Sequence, residues 1–153
     1  MTTDHPLLQR QAEFHPADLA ALEPVHSELG RFWDDVKPTL VPSVPDRWKL
    51  EFVTACAEIC ANIIQHAFAE SPQPGTMVLH LRLYRNRVEA EITDDGAFFD
   101  EESANGDPAP GPDADLPESG RGLQVARALL DTLRYQRSQE SKNHWLLVKM
   151  LPE

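Results

Sequence analysis

The stretch from Thr76 to Ile92 restricts the fold of this chain more than any other feature. Met77, Leu79, Leu81 and Leu83 alternate with polar or basic residues, and Val88, Ala90 and Ile92 alternate likewise after Arg85-Asn86-Arg87. A period of two places every second side chain on one face of a strand. The pattern therefore predicts two antiparallel strands joined by a tight turn, each with one apolar face. Such a face has to be covered, and the segments on either side must supply the cover.

Several of those segments have helical period. After a short edge strand near Leu7 to Phe14, Pro16 and Asp18 open a stretch in which Leu19, Leu22, Val25, Leu29, Phe32 and Trp33 recur at helical spacing, ending by Pro38. Two prolines between Thr39 and Pro45, just after Pro38, mark a connection, and Asp46 is placed to be the N-cap of a long helix running to about Ala69. Gly122 to Leu133 is periodic through Leu123, Ala126, Leu129 and Leu130, and Trp145 to Leu151 is apolar enough for a buried strand. Helices and antiparallel strands thus come in blocks, which predicts an α+β fold with its helices on one face of a sheet. A chain of 153 residues has room for one such core, so residues 1–153 are expected to form a single domain.

Charge narrows the function classes. Twenty-five acidic residues against 14 basic ones give a formal net charge of -11, which repels a phosphate backbone or an anionic bilayer over most of the surface. Neither nucleic acid nor membrane is an expected partner. The N-terminus has no basic region followed by an apolar stretch, and no segment is apolar enough to span a bilayer, so a cytoplasmic location is expected. Cys56 and Cys60 lie four apart on one predicted helix, a spacing suited to buried thiols and poorly suited to a disulfide. The six histidines are scattered, without metal-ligand spacing.

Three clusters have side chains suited to chemistry. Glu51, Thr54, Glu58, Asn62 and Gln65 form a polar stripe on the long, otherwise apolar helix. Such a stripe is either a solvated face or one wall of a cleft, where a carboxylate and an amide a turn apart can activate a hydroxyl and ligate Mg²⁺ through oxygen. Asp94 and Gly96 close the second predicted strand of the hairpin. They make either an ordinary turn or a site where a carboxylate accepts from the amino group of a base and glycine lets a flat ring approach. Gly120-Arg121-Gly122-Leu123 precedes a predicted helix, as a flexible entry or as a phosphate-binding helix N-terminus. Between the last two clusters, Ala97 to Ser119 holds seven acids and four prolines with no Lys or Arg, a composition that fits a functional lid or a disordered insertion equally.

The order of these clusters resembles the Bergerat-fold ATPases, and within them the anti-sigma-factor serine/threonine kinases of the RsbW type. ACAEICANIIQHAF resembles the Glu-x-x-x-Asn-x-x-x-His-Ala-Tyr helix of that family, with Phe68 for the tyrosine. EITDDGAFFD resembles its Asp-x-Gly segment, and SGRGLQVARALLDTLRY its Gly-Arg-Gly-Leu helix leading into the penultimate strand. The resemblance covers nearly the whole chain. It implies a two-layer sandwich with a mixed, mostly antiparallel sheet, ATP and Mg²⁺ as cofactors, and an ATP lid at about 97–119. It further implies that Glu58 is the base on a partner's hydroxyl, that Asn62 ligates Mg²⁺, that Asp94 reads the adenine amino group beside Gly96, and that Gly120, Arg121, Gly122 and Leu123 close the phosphate end. His66 belongs to the same pattern, either in packing or in support of the magnesium ligand. One departure stands out: the family often carries a threonine in the last strand to help hold the aspartate, and near that place this chain has Asn143, His144 and Trp145.

The implied function is transfer of the γ-phosphoryl of ATP to a small antagonist protein, with capture of a sigma factor or other regulator, by a homodimer. A nucleotide-gated binding module without kinase activity would carry the same motifs. A detached histidine-kinase catalytic domain ranks lower, because the chain has no dimerising helix hairpin with a phospho-acceptor.

Overall fold

The structure, a computed structural model, describes residues 5–37, 41, 43–67, 75–97 and 118–152. Its elements are β1 (Leu8–Phe14), a 3₁₀ turn (Leu19–Ala21), α1 (Leu22–Asp35), α2 (Asp46–Asn62) with a π-helical turn (Ile63–Ala67), β2 (Met77–Leu83), β3 (Arg87–Asp94), α3 (Glu118–Leu129), β4 (Thr132–Arg137) and β5 (Asn143–Met150).

The strands form a five-stranded sheet in the order β1-β2-β3-β5-β4. Every described pairing is antiparallel, where a mixed sheet was expected. The alternation read from sequence sets the register: Met77, Leu79, Leu81 and Leu83 lie opposite Asp94, Ile92, Ala90 and Val88, and all are buried on one face. A slip of one residue would turn the whole apolar set to the other side. That other face carries Arg82, Glu89 and Glu91, with Arg82 bonded to both carboxylates at 3.2 and 3.0 Å.

The helices cover the apolar face. In α1, Val25, Leu29, Phe32 and Trp33 are buried at helical spacing, and Asp18 caps the preceding turn by accepting from the Ala20 N–H at 2.8 Å. Buried Glu28 on α1 takes the guanidinium of Arg10 on β1 at 2.6 Å, fastening helix to edge strand. Phe32, Trp33, Trp48 and Phe52 join α1 to α2 through edge-on and stacked ring contacts.

Helix α2 is central to the helical layer. From Glu51 to Gln65 no residue is exposed, because sheet, α1 and α3 pack around it. Three boundaries differ from expectation. Pro45 occupies the N-cap position of α2 and Asp46 is its first helical residue, where a carboxylate favours the positive end of the helix dipole. Helix α3 starts four residues before Gly122 and stops at Leu129, so Leu133 belongs to β4, opposite Leu147. The last strand starts at Asn143 rather than Trp145, because Asn143 pairs in the ladder with Asp94. Phe68 and most of the expected lid, residues 98–117, lie outside the described residues.

Candidate functional site

Asp94 stands at the end of the sheet where β3 stops. It is the last residue of that strand, 2% exposed, with Asn143 beside it on β5. Its Oδ1 accepts from the Gly96 N–H and from Asn143 Nδ2, both at 2.8 Å. Its Oδ2 is buried and has no hydrogen-bond partner among the described residues. Burial pushes the Asp94 carboxyl up from the usual carboxylate range, while the Asn143 and Gly96 hydrogen bonds and nearby Arg137 pull the other way. The Asp-x-Gly pair is therefore more than a turn. It fixes one carboxylate oxygen and leaves the other as a buried acceptor, an arrangement that costs stability unless a ligand completes it.

The C-terminal half of α2 lies over this end of the sheet. Cys60 is close enough that the Asp94 charge adds to burial in raising its thiol to about 12. Two residues on, Asn62 is 3% exposed, and both polar atoms of its side-chain amide are buried with no hydrogen-bond partner among the described residues. The solvated-face reading of the polar stripe is thereby overturned: α3 covers the side that a lone amphipathic helix would leave to water. Glu51 has a structural partner, since Lys149 Nζ lies 3.4 Å from its Oε2 and 2.7 Å from the carbonyl of Leu129 at the end of α3. His66, in contrast, is exposed in the π-helical turn, so it is not a core histidine.

Glu58 faces α3. A Cβ on Gly122 would lie 2.5 Å from Glu58 Oε2, so the glycine leaves the room in which the carboxylate sits. This assigns Gly122 a packing duty that its predicted place ahead of a helix did not suggest. Gly120 and Arg121 fall within the first turn of α3, at the positive end of the helix dipole, and Arg121 is exposed. Leu123 points the other way, fully buried in the core.

Sequence reasoning located the support for Asp94 at Asn143, His144 and Trp145 but read it as a departure from the family's threonine; the structure gives the role to Asn143. Asn143 is 1% exposed and bonds Asp94, the Ala97 carbonyl, Tyr135 and Arg137. Arg137 Nη1 in turn donates to the Gly96 carbonyl at 3.0 Å. The only signal was the Asn-His-Trp run at the start of the last strand, and its meaning depended on the register.

These residues fit a magnesium nucleotide. Asp94 Oδ2 can accept from an exocyclic amine, and Asn62 has a carbonyl oxygen for a cation and an amide donor for a phosphate. No cluster of three or more His, Cys, Asp or Glu able to hold a metal occurs among the described residues, so a cation here would rely on Asn62 and on the phosphates themselves. No helix among the described residues is long and apolar enough to cross a membrane.

Comparison with known proteins points the same way. The family described as histidine kinase-like ATPase domain matches residues 16–149. Serine-protein kinase RsbW of Halalkalibacterium halodurans is 32% identical over 111 residues, which are 70% of this chain and 59% of that protein. The protein of the same name from Bacillus cereus is 34% identical over 84 residues, 52% of this chain and 51% of its own length. The chain thus spans between half and three fifths of the curated relatives it matches. Among solved structures, the RsbU and RsbW domains of a Mycobacterium tuberculosis protein superpose with a TM-score of 0.60 at 16% identity, over 94% of this chain and 33% of that one. The mycobacterial sensor histidine kinase MprB does so with a TM-score of 0.51 at 14% identity, over 94% and 98%. At such identities the likeness is one of fold.

Proposed function

The chain belongs to the histidine kinase-like ATPase domain family, and on that premise we propose that it is an ATP-dependent serine/threonine protein kinase of the anti-sigma-factor type. The observation that carries the reading is Asp94, buried with one oxygen held and the other without a partner among the described residues, as recognition of an adenine amino group requires. The relatives named serine-protein kinase RsbW support the choice of acceptor.

In this reading Asp94 orients the base beside Gly96, and Gly120 and Arg121 at the start of α3 receive the phosphates. Gly122 and Leu123 hold α3 against α2 and the core. Asn62 would hold Mg²⁺, which offsets phosphate charge. Glu58 takes the proton of a partner's seryl or threonyl hydroxyl as that oxygen bonds to the γ-phosphorus and the bond to the ADP oxygen breaks. Positioning and charge neutralisation supply most of the acceleration in such a transfer. His66 acts outside the core, at the rim of the magnesium site. The whole chain works as one domain, with residues 97–119 as its ATP lid. Its partners are a small antagonist protein, as phosphate acceptor, and a sigma factor or other regulator, met by a homodimer in the cytoplasm.

Calorimetric titration with Mg·ATP tests the site. Wild type should bind, and Asp94→Asn should not. The asparagine oxygen must stay with the Gly96 and Asn143 donors, which turns its amino group toward another amino group. Absence of binding by the wild type would refute the reading. For the reaction, label from γ-labelled ATP should pass to a candidate antagonist in an acid-stable linkage and be lost in Glu58→Gln with ATP binding intact. Acid-labile label would point to a phosphohistidine instead.

A further inference from the structure

We propose that the cavity at the far end of the sheet from Asp94 is a second binding site, one that takes a small aliphatic monocarboxylate. It lies about 23 Å from Asp94 along β3, seven steps of about 3.3 Å, and the inference does not rest on the nucleotide reading.

Three pieces of chain meet there: the connection from α1 to α2, the turn between β2 and β3, and the end of β5 with the residues after it. Between them is a cavity of about 600 Å³, within the range of small-molecule sites. Hydrogen bonds hold its walls. The Asn86 carbonyl accepts from the Leu151 N–H at 2.9 Å, and the Tyr84 N–H donates to the Arg87 carbonyl at 2.8 Å to close the turn. Both backbone groups of Met150 are fixed: its N–H donates to Asp131 Oδ2 at 2.7 Å, and its carbonyl accepts from Trp48 Nε1 at 3.1 Å. Walls held in this way admit a ligand with little rearrangement.

The lining has two chemical halves. Val44, Met150, Leu151 and Pro152 supply aliphatic surface, and Met150 is 42% exposed. Ser43, Arg85 and Asn86 supply hydrogen-bond donors. Asn86 Oδ1 is taken by Arg87 Nη1 at 2.9 Å, which leaves Nδ2 as the open end of the amide. The side chains of Ser43 and Arg85 make no hydrogen bond or ion pair among the described residues. Arg87, the other cation of the turn, is engaged: its Nε bonds Glu89 at 2.7 Å, and its guanidinium lies 4.0 Å from the centroid of the Tyr84 ring.

One cation without a described partner, beside neutral donors and an aliphatic wall, matches a ligand with one negative charge and an aliphatic chain. A phosphate monoester carries about 1.5 to 2 charges and would meet this single cation on a protein of net charge -11. A carboxylate can take a guanidinium through two parallel hydrogen bonds, and methionine adapts its shape to the chain that follows.

Calorimetric titration of the full chain with hexanoate, octanoate and octanol, on wild type and on Arg85→Met, Met150→Glu and Asn86→Asp, tests the site. Octanoate should bind wild type about tenfold or more tighter than octanol, the worth of a charge-assisted hydrogen bond. Hexanoate should bind about tenfold more weakly than octanoate, for two buried methylenes. Arg85→Met should weaken octanoate by about tenfold or more and leave octanol within about threefold. Met150→Glu puts a like charge in the aliphatic wall and should abolish octanoate binding. Arg85, Asn86 and Met150 are all exposed, so the variants should melt with wild type. Should Arg85→Met or Met150→Glu fail to fold, Asn86→Asp decides the matter, since it replaces a donor by a carboxylate oxygen and should cost octanoate about tenfold.

No binding of octanoate by wild type in the millimolar range overturns the proposal. Affinity that ignores chain length, or that survives Arg85→Met and Asn86→Asp unchanged, overturns it as well. An acetylated peptide ending in leucine, as free acid and as amide, bounds the ligand class: a peptide acid preferred to octanoate would overturn the small-molecule assignment and make the cavity a receiver of protein C-termini. Mg·ATP titrated separately into the same proteins reports on the Asp94 end of the sheet, so a failure of either site is read apart from the other.

Discussion

Gly122→Ala separates the chemistry of the site from its stability. The added Cβ would lie 2.5 Å from Glu58 Oε2, with Glu58 Cδ at 3.6 Å and Cβ at 3.8 Å in ordinary contact. Only the carboxylate end is in the way, and it sits on a flexible side chain, so the carboxylate moves and the helices stay. It must retreat by nearly an ångström to reach normal contact. Alanine in place of a helical glycine meanwhile gains about 0.5–1 kcal/mol of helix propensity. The melting temperature should therefore hold or rise by roughly 2–4 °C. Mg·ATP affinity should stay within about threefold, since Asp94 and Asn62 are untouched. Phosphoryl transfer should fall by about 10- to 100-fold, because a misplacement of about 1 Å in a positioned group costs up to that much. Thermal unfolding, calorimetry and label transfer from γ-labelled ATP provide the three readouts, with Gly30→Ala on the exposed face of α1, where nothing lies within 4 Å, as the control for propensity alone. Undiminished transfer in Gly122→Ala would remove Glu58, in this position, from the mechanism. A marked fall in melting temperature would show that backbone contact sets the α2–α3 spacing.

The thiols give a second prediction. Cys56 and Cys60 are free and fully buried, and burial raises both, Cys60 to about 12. Folding holds the thiols protonated, so their contribution is complete below about 9, the ordinary thiol value, and is lost as pH climbs from there toward about 12. Denaturant midpoints should fall over that range and fall less in a Cys56→Ala/Cys60→Ala protein; equal slopes would contradict the argument. At neutral pH an alkylating reagent should label neither cysteine until denaturant is added, as read by mass spectrometry. Lys149→Met should lower unfolding stability by about 1–2 kcal/mol by removing the hydrogen bond to the Leu129 carbonyl, with no effect on nucleotide affinity. A neutral result in urea titration would mean that water replaces Nζ at the end of α3.

Local pattern carried most of the fold. The alternation in β2 and β3 specified strands, face and register, because a period of two admits no other burial of the same residues. The helical spacing of Val25, Leu29, Phe32 and Trp33 placed α1 for the same kind of reason. Boundaries were less legible. Leu129, Leu130 and Leu133 continue a helical period, yet the helix stops at Leu129, where Lys149 from a distant strand takes its carbonyl. No local signal announces a partner that arrives from 20 residues away.

The sequence by itself determined the α+β class, the covered sheet face, the buried thiols and the positions of Glu58, Asn62 and Asp94, since all of these follow from periodicity and from residue types at short spacing. Tertiary structure decided what those positions are worth. Whether the polar stripe on α2 meets water or a cleft depends on α3 covering it. Gly122 matters because of the space it leaves to a carboxylate on another helix. Asp94 is held by Asn143, 49 residues away, through a contact that exists only once β5 lies beside β3. Periodicity reports which face of an element is apolar, but the neighbour that each polar atom finds there is set by packing between elements.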